Sequence, residues 1–211
     1  MFRITARTVL ELGSELISSD IIAFYELIKN GFDAQTESGV DVKFDIVFSR
    51  RDYLRFHKKI TPSGDLQKLK SKIKSAMLLS ASEKALEGFS SSIDKASSIE
   101  SLSENFEYAQ RHYNTITISD SGRGMSIDDL KRNFLVIGTA SRKKEVEAAL
   151  QRGDKQAPYL GEKGIGRLSA MRLGEHLKVE SATAEDTHFN TLSIDWTEFS
   201  DVDAMLDQIV F

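Results

Sequence analysis

Glu26, Asn30 and Asp33 stand at i, i+4 and i+7 in "YELIKNGFDA", residues 25–34. On a helix this spacing sets an acid, an amide and a second acid on one narrow stripe. A carboxylate can take a proton from water, an amide oxygen can ligate a hard cation, and a second carboxylate can order the surrounding water. An ordinary solvated face mixes signs, and here only Lys29 comes near the stripe. A polar face that is simply wet is the plainer reading of these three residues alone.

A second group is "DSGRGM", residues 120–125, at the end of an alternating segment. A strand that ends in Asp-x-Gly-x-Gly delivers a carboxylate, then backbone without Cβ atoms in the way. A flat ligand can approach such backbone closely, and the Asp120 carboxylate suits an exocyclic amine such as the one on adenine. Asp-Ser-Gly is also common turn chemistry, so a plain turn stands beside this reading. A third group is "GEKGIGRLSA", with Gly161, Gly164 and Gly166 ahead of a helical pattern. Glycines at a helix start expose N–H groups to a phosphate, or they serve as a hinge. The segment is no Walker loop, because no Lys-Ser/Thr follows its last glycine. It is no dinucleotide fingerprint either, because Ser169 holds the third glycine position.

Other chemistries are excluded or unsupported. The chain has no cysteine, which removes disulfides, thiolate metal sites and a thiol nucleophile. That composition fits a cytoplasmic protein. His57, His112, His176 and His188 are scattered without close metal-ligand spacing. There is no G-x-S-x-G elbow and no protein-kinase signature. A net charge of −4 argues against wholesale coating of nucleic acid but not against a local basic patch. The N-terminus mixes charges into its apolar residues and is no signal peptide, and no stretch approaches membrane-spanning length without charges.

The elements that must hold these groups follow from patterning. "FRITA" reads as an edge strand or strap, and residues 7–17 as a helix interrupted at Gly13. Ser18, Ser19 and Asp20 offer N-caps for the helix of the stripe. Its opposite face carries Ile21, Phe24, Tyr25, Leu27, Ile28 and Phe32, which predicts an amphipathic helix. Residues 40–48, 114–120, 176–183 and 188–196 read as strands. Ser126 caps a helix in "SIDDLKRNFL", and residues 138–163 read as a polar loop.

Residues 50–112 hold no strand pattern. Leu66, Leu69 and Ile73 recur at helical spacing, as do Leu86, Phe89 and Ile93, and then Ile99, Leu102, Phe106 and Ala109. This predicts an insertion of two or three helices. Its first part, 50–74, carries nine Lys/Arg against two Asp. The insertion is either a solvated decoration or a surface for an acidic protein or nucleic-acid partner.

The order of the three groups carries more than any one of them. An E-x-x-x-N-x-x-D helix, a strand ending D-x-G-x-G and a G-x-x-G-x-G loop opening a helix together resemble the GHKL ATPases. These are the DNA gyrase B subunits, heat-shock ninety-type chaperones, sensor histidine kinases and MutL-type repair proteins. The first motif is most similar to its chaperone and MutL version. The resemblance implies an α/β (α+β) two-layer sandwich, with a mixed, largely antiparallel sheet covered by helices, spanning 1–211. It implies ATP and Mg²⁺ as ligands. Glu26 would be the general base, Asn30 the magnesium ligand, and Asp33 an organiser of water near the nucleotide. Asp120 would accept the adenine amine, with Gly122, Gly124 and Met125 around the base. Gly161, Gly164, Ile165 and Gly166 would wrap the phosphates, and residues 138–160 would form a lid that includes Thr139. The N-terminal strap would be a dimer element.

Two departures qualify the resemblance. The insertion lies where many relatives have a short connection. The closing Gly-Thr strand of relatives is missing after "SIDWTEF". The expectation is a nucleotide-dependent homodimer, with this chain the N-terminal fragment of a longer, non-membrane protein and weak hydrolysis by the fragment alone. A phosphotransfer domain of histidine-kinase type and a non-hydrolysing ATP switch are the rival readings.

Overall fold

The structure, a computed structural model, describes residues 5–134, 166–201 and 205–206. The expected lid at 138–160 with Thr139, and Gly161, Gly164 and Ile165, lie outside the described residues, as do residues 1–4 of the strap. Helices and short paired strands make up the chain, as the α/β fold class requires. It divides into two compact units, residues 1–41 with 118–211, and residues 42–117.

In the first unit, α1 (Ala6–Leu16) and α2 (Asp20–Asp33) precede the 120–125 loop. A short helix α7 (Ile127–Asp129) follows that loop and widens into a π-helical turn at Leu130–Phe134. Ser126 caps it, and Asp129 returns the bond to the Ser126 backbone. A 3-10 turn, Gly166–Ser169, then leads into α8 (Ala170–Leu173). Strands β3 (His176–Ser181) and β4 (Asn190–Asp195) pair antiparallel, from His176 opposite Asp195 to Ser181 opposite Asn190. Leu177 lies opposite Ile194 and Val179 opposite Leu192, so one face of the pair is apolar. That face joins Ala6, Val9, Leu168, Trp196 and Phe199 in a core. Thr5 makes an isolated antiparallel bridge to Met205.

Gly13 does not interrupt α1, contrary to its reading as a break. The Met171 side chain occupies the space a Cβ would take there, so the glycine serves close packing against α8.

The second unit is mostly helical. Strands β1 (Val40–Ile46) and β2 (Asn114–Asp120) pair with each other and lead into and out of it. Between them lie α3 (Arg50–His57), α4 (Leu66–Ser75), α5 (Glu83–Asp94) and α6 (Ile99–Tyr113). The helices number four where the spacing predicted two or three. The missed one, α3, is short and charged, and buries only Phe56. The predicted stripes turn inward: Leu69, Ile73, Phe89, Ile93, Leu102, Phe106 and Ala109 are buried together. Phe48 sits among them, stacked on Phe89 at 5.5 Å and edge-on to Phe106 at 5.2 Å and Phe56 at 5.8 Å. Such ring pairs add about 0.5–1.5 kcal/mol each beyond their buried area. No described helix is long and apolar enough to cross a membrane.

One polar clamp gives this unit a pH dependence. Asp45 accepts the Ser82 backbone N–H at 2.7 Å and the Ser82 hydroxyl at 2.8 Å, while Ser82 itself caps α5. The Ser82 donors, then Lys43, hold the Asp45 carboxyl at about 2, below its ordinary 3.8. A depressed folded-state value stabilises the fold above pH 3.8, and that contribution disappears as pH falls from 3.8 towards 2. Urea midpoints measured by circular dichroism between pH 5 and about 2 should therefore fall more steeply for the wild type than for Asp45→Asn. Parallel curves for the two would remove this carboxylate from the acid transition.

Candidate functional site

The stripe helix forms as its cap residues predict. Ser19 Oγ accepts from the Ile22 N–H at 3.3 Å. Asp20, in the first turn, pairs with Arg172 Nε at 2.8 Å and ties α2 to α8. The predicted apolar face is covered only in part: Phe24, Leu27 and Ile28 are half-buried. Ile21, Tyr25 and Phe32 are exposed, at 82%, 59% and 53%, whereas Ala23, Gly31 and Asp33 are buried. The reason is close backbone approach. A Cβ on Gly31 would stand 2.6 Å from Val40 Cγ2 and 3.2 Å from Asp120 Cβ. Small residues therefore face inward, and bulk is displaced to the outer face.

The stripe is graded in burial. Asp33 is 7% exposed, and Glu26 and Asn30 are half-buried. Lys29 Nζ stands 3.6 Å from Glu26 Oε1, with the lysine side chain 11% and the glutamate 26% exposed. The amine thus sits beside the carboxylate rather than at the stripe's margin.

Asp120 ends β2 and is oriented by its own loop. Its Oδ1 accepts from the Gly122 N–H at 2.9 Å, while its Oδ2 takes no donor among the described residues. That second oxygen lies 3.4 Å from the place where a Gly31 Cβ would be, so the missing side chain leaves it uncovered on that side. Gly122 packs on Ala34, whose carbonyl accepts from the Arg123 N–H at 2.9 Å. Gly124 has φ +68°, and a Cβ there would run into the Ala182 carbonyl, so glycine is required twice over. Met125 is held by its main chain: its N–H donates to Ser181 Oγ at 2.8 Å, and its carbonyl accepts from Asn190 Nδ2 at 3.4 Å.

The glycine segment enters the described residues at Gly166, where the 3-10 turn packs on α2. Leu168 and Ser169 are buried there, and Ser169 Oγ has no hydrogen-bond partner among the described residues.

Within the first unit, α2 therefore brings together the 120–125 loop at its C-terminal end and the Gly166–Ser169 turn along its side. Glu26, Asn30, Asp33, Asp120, Gly122, Gly124, Met125 and Gly166 belong to these three neighbouring pieces. Sequence reasoning missed the residues that hold them. Thr36 and Ser38 hydroxyls bond Ser121 Oγ at 3.1 and 2.8 Å, and Thr36 Oγ1 accepts from the Ser121 N–H at 3.2 Å. Asp186 takes two bonds from Thr183 and one from Asn190, which steadies the asparagine under Met125. Those donors, Thr183 first, lower the Asp186 carboxyl below its usual range. The signal was a cluster of Ser, Thr and Asn in turns, where such side chains commonly bond nearby backbone.

Comparison with known proteins adds what geometry cannot. The family described as histidine kinase-, DNA gyrase B-, and HSP90-like ATPase matches residues 90–209, more than half of the chain. The chain belongs to this family. Membership implies ATP binding and places the chain among ATPase-type proteins. The match takes in β2, the 120–125 loop and Gly161, Gly164 and Gly166, and begins after α2. The chain is also similar to the chaperone protein HtpG of Myxococcus xanthus (strain DK1622), 35% identical over 71 residues. That stretch is 33% of this chain and 11% of the relative, so the chain spans a small part of that protein's length. No solved structure matches.

Proposed function

We propose that this chain is a Mg²⁺-dependent ATP-binding module that hydrolyses ATP slowly and, through lid closure and N-terminal dimerisation, passes its nucleotide state to a larger machine. The observation that carries this reading is the Asp120 carboxylate. One oxygen is fixed by Gly122 N–H, and the other is uncovered over a glycine, inside the segment that the ATPase family matches. Such an oxygen fits the amine edge of adenine. Gly122 and Gly124 keep side chains away from the base, and the backbone-anchored Met125 offers an apolar contact. Asp33 orders water at the inner end of the stripe. Gly166, with Gly161, Gly164 and Ile165, donates backbone N–H groups to the phosphates. Bound magnesium would neutralise phosphate charge, with the Asn30 amide oxygen as its protein ligand. Among the described residues no group of three or more His, Cys, Asp or Glu could hold a metal ion, which fits a cation that arrives with its nucleotide.

Glu26 is the proposed base that draws the proton from the attacking water. Its neighbour Lys29, at 3.6 Å, favours a second reading, a switch that holds ATP and barely hydrolyses it. An ammonium paired with the carboxylate competes with the attacking water for the oxygen that a general base must offer. By analogy with the named relative, the larger machine is chaperone-like.

Titration calorimetry with ATP and Mg²⁺ tests binding, and trypsin tests closure. Residues 138–160, with Thr139, are proposed to cover the nucleotide. Cleavage near Arg142, Lys143 and Lys144 should then slow when Mg²⁺ and a non-hydrolysable ATP analogue are added. Equal cleavage with and without nucleotide would count against the lid.

A further inference from the structure

Charge is divided unevenly along this chain. Residues 42–117 carry 13 Lys/Arg against 9 Asp/Glu, and the rest carry 15 against 23. Within the helical unit the excess is concentrated again, in α3, α4 and the turn between them. Two of the nine cations there are structural. Lys70 is buried and donates to the Asp94 carbonyl at 2.9 Å, and Lys74 pairs with Asp94 Oδ2 at 2.8 Å. Arg55 pairs with Asp52 at 3.0 Å, and Lys59 lies 5.9 Å over the Phe56 ring. Arg51, Lys58, Lys68 and Lys72 are exposed and have no carboxylate partner among the described residues. Arg51, Arg55 and Lys58 recur at i, i+4 and i+7, a stripe along α3 and its C-cap. Lys68 and Lys72 recur at i, i+4 on α4.

We infer that this basic surface of the helical unit binds the phosphate backbone of nucleic acid, without reading its sequence. The composition of the surface separates this partner from an acidic protein. A protein interface needs an apolar or aromatic centre that water leaves on binding. Between residues 50 and 75 the only exposed large apolar side chain is Leu54, among the described residues. One leucine among these cations is too small for such a centre, and the surface matches the polar, positively charged interfaces that contact phosphates. The excess of acid elsewhere in the sequence disfavours a polyanion there. The inference is independent of the nucleotide site, since none of Glu26, Asn30, Asp33 or Asp120 lies in residues 42–117.

The test is fluorescence anisotropy of the full chain with a labelled DNA duplex of arbitrary sequence, about 20 base pairs long. Four phosphates neutralised give a slope of about −3.6 in log affinity against log salt, or about a 100-fold loss between roughly 50 and 200 mM. The variant carrying Arg51→Gln, Lys58→Gln, Lys68→Gln and Lys72→Gln should bind at least about tenfold more weakly at the lower salt and lose most of that slope. Its helical circular dichroism and ATP affinity should equal the wild type's, so loss of duplex binding is read on a folded chain. Wild-type duplex affinity in this variant, or an affinity indifferent to salt, would overturn the inference. So would polyglutamate displacing the duplex at equal charge concentration, which would assign the surface to acidic proteins. Failure of ATP binding in the wild type would leave the duplex result standing and strike only the nucleotide reading.

Discussion

Asp120→Asn is expected to abolish measurable ATP binding while leaving the fold intact. The geometry of the loop makes the substitution harsher than its size suggests. Oδ1 accepts the Gly122 N–H at 2.9 Å, so the amide of Asn must keep its oxygen at that position. Its NH₂ is then forced to the Oδ2 position, the one turned toward the proposed adenine amine, and donor meets donor. Turning the amide the other way would restore the acceptor to the base but set NH₂ against the Gly122 N–H. Either orientation loses a charge-assisted hydrogen bond, worth about 1.5–3 kcal/mol, and leaves a polar group opposed. The loss corresponds to at least about a tenfold rise in Kd, and the opposed donors push it further. Calorimetry reads it directly, with a urea melt to show that the variant is folded. Affinity within threefold of wild type, by the ~1.4 kcal/mol-per-decade scale, would remove Asp120 from base recognition.

The parts of this fold that sequence foretold are those in which local pattern and tertiary packing agree. The Ser19 and Ser126 caps, the alternating Leu177, Val179, Leu192 and Ile194, and the inward stripes of α4, α5 and α6 each satisfy both. Patterning failed where a neighbour's approach outweighed side-chain bulk. Gly13 looked like a break in α1, and both it and Gly31 in α2 are places where another segment comes within a side chain's thickness. In α2 the same demand exposed Tyr25 and Phe32 and buried Asp33, while Phe24, Leu27 and Ile28 stayed half-buried. Helix α3 was invisible because eight residues with one buried aromatic show no period. The candidate site was legible as residue types and spacings, but its supports were not. Thr36, Ser38 and Ser121 meet only because β1 and β2 pair, and Ser181 and Asn190 reach Met125 only because β3 and β4 pair. Hydroxyls that far apart in sequence carry no signal of their meeting.

Glu26→Ala should separate binding from chemistry. A general base works in the transition state, so its removal lowers the hydrolysis rate by about 10²–10⁴-fold and leaves ground-state ATP affinity within a few-fold. The pairing with Lys29 shapes the control. Truncating the acid frees a lysine that is only 11% exposed, and a loosely held ammonium near the phosphates would raise ATP affinity by charge alone. Glu26→Gln keeps the volume and a hydrogen-bonding oxygen for Lys29 but cannot take a proton, so both variants should be equally inactive. Lys29→Met supplies the converse. It removes the ammonium that stands 3.6 Å from Glu26, and hydrolysis should persist if Glu26, and not Lys29, handles the proton. Single-turnover assays with labelled ATP measure each rate apart from binding. Wild-type turnover in Glu26→Gln would place the base elsewhere, and no hydrolysis in wild type or Lys29→Met would leave the chain as an ATP-holding switch.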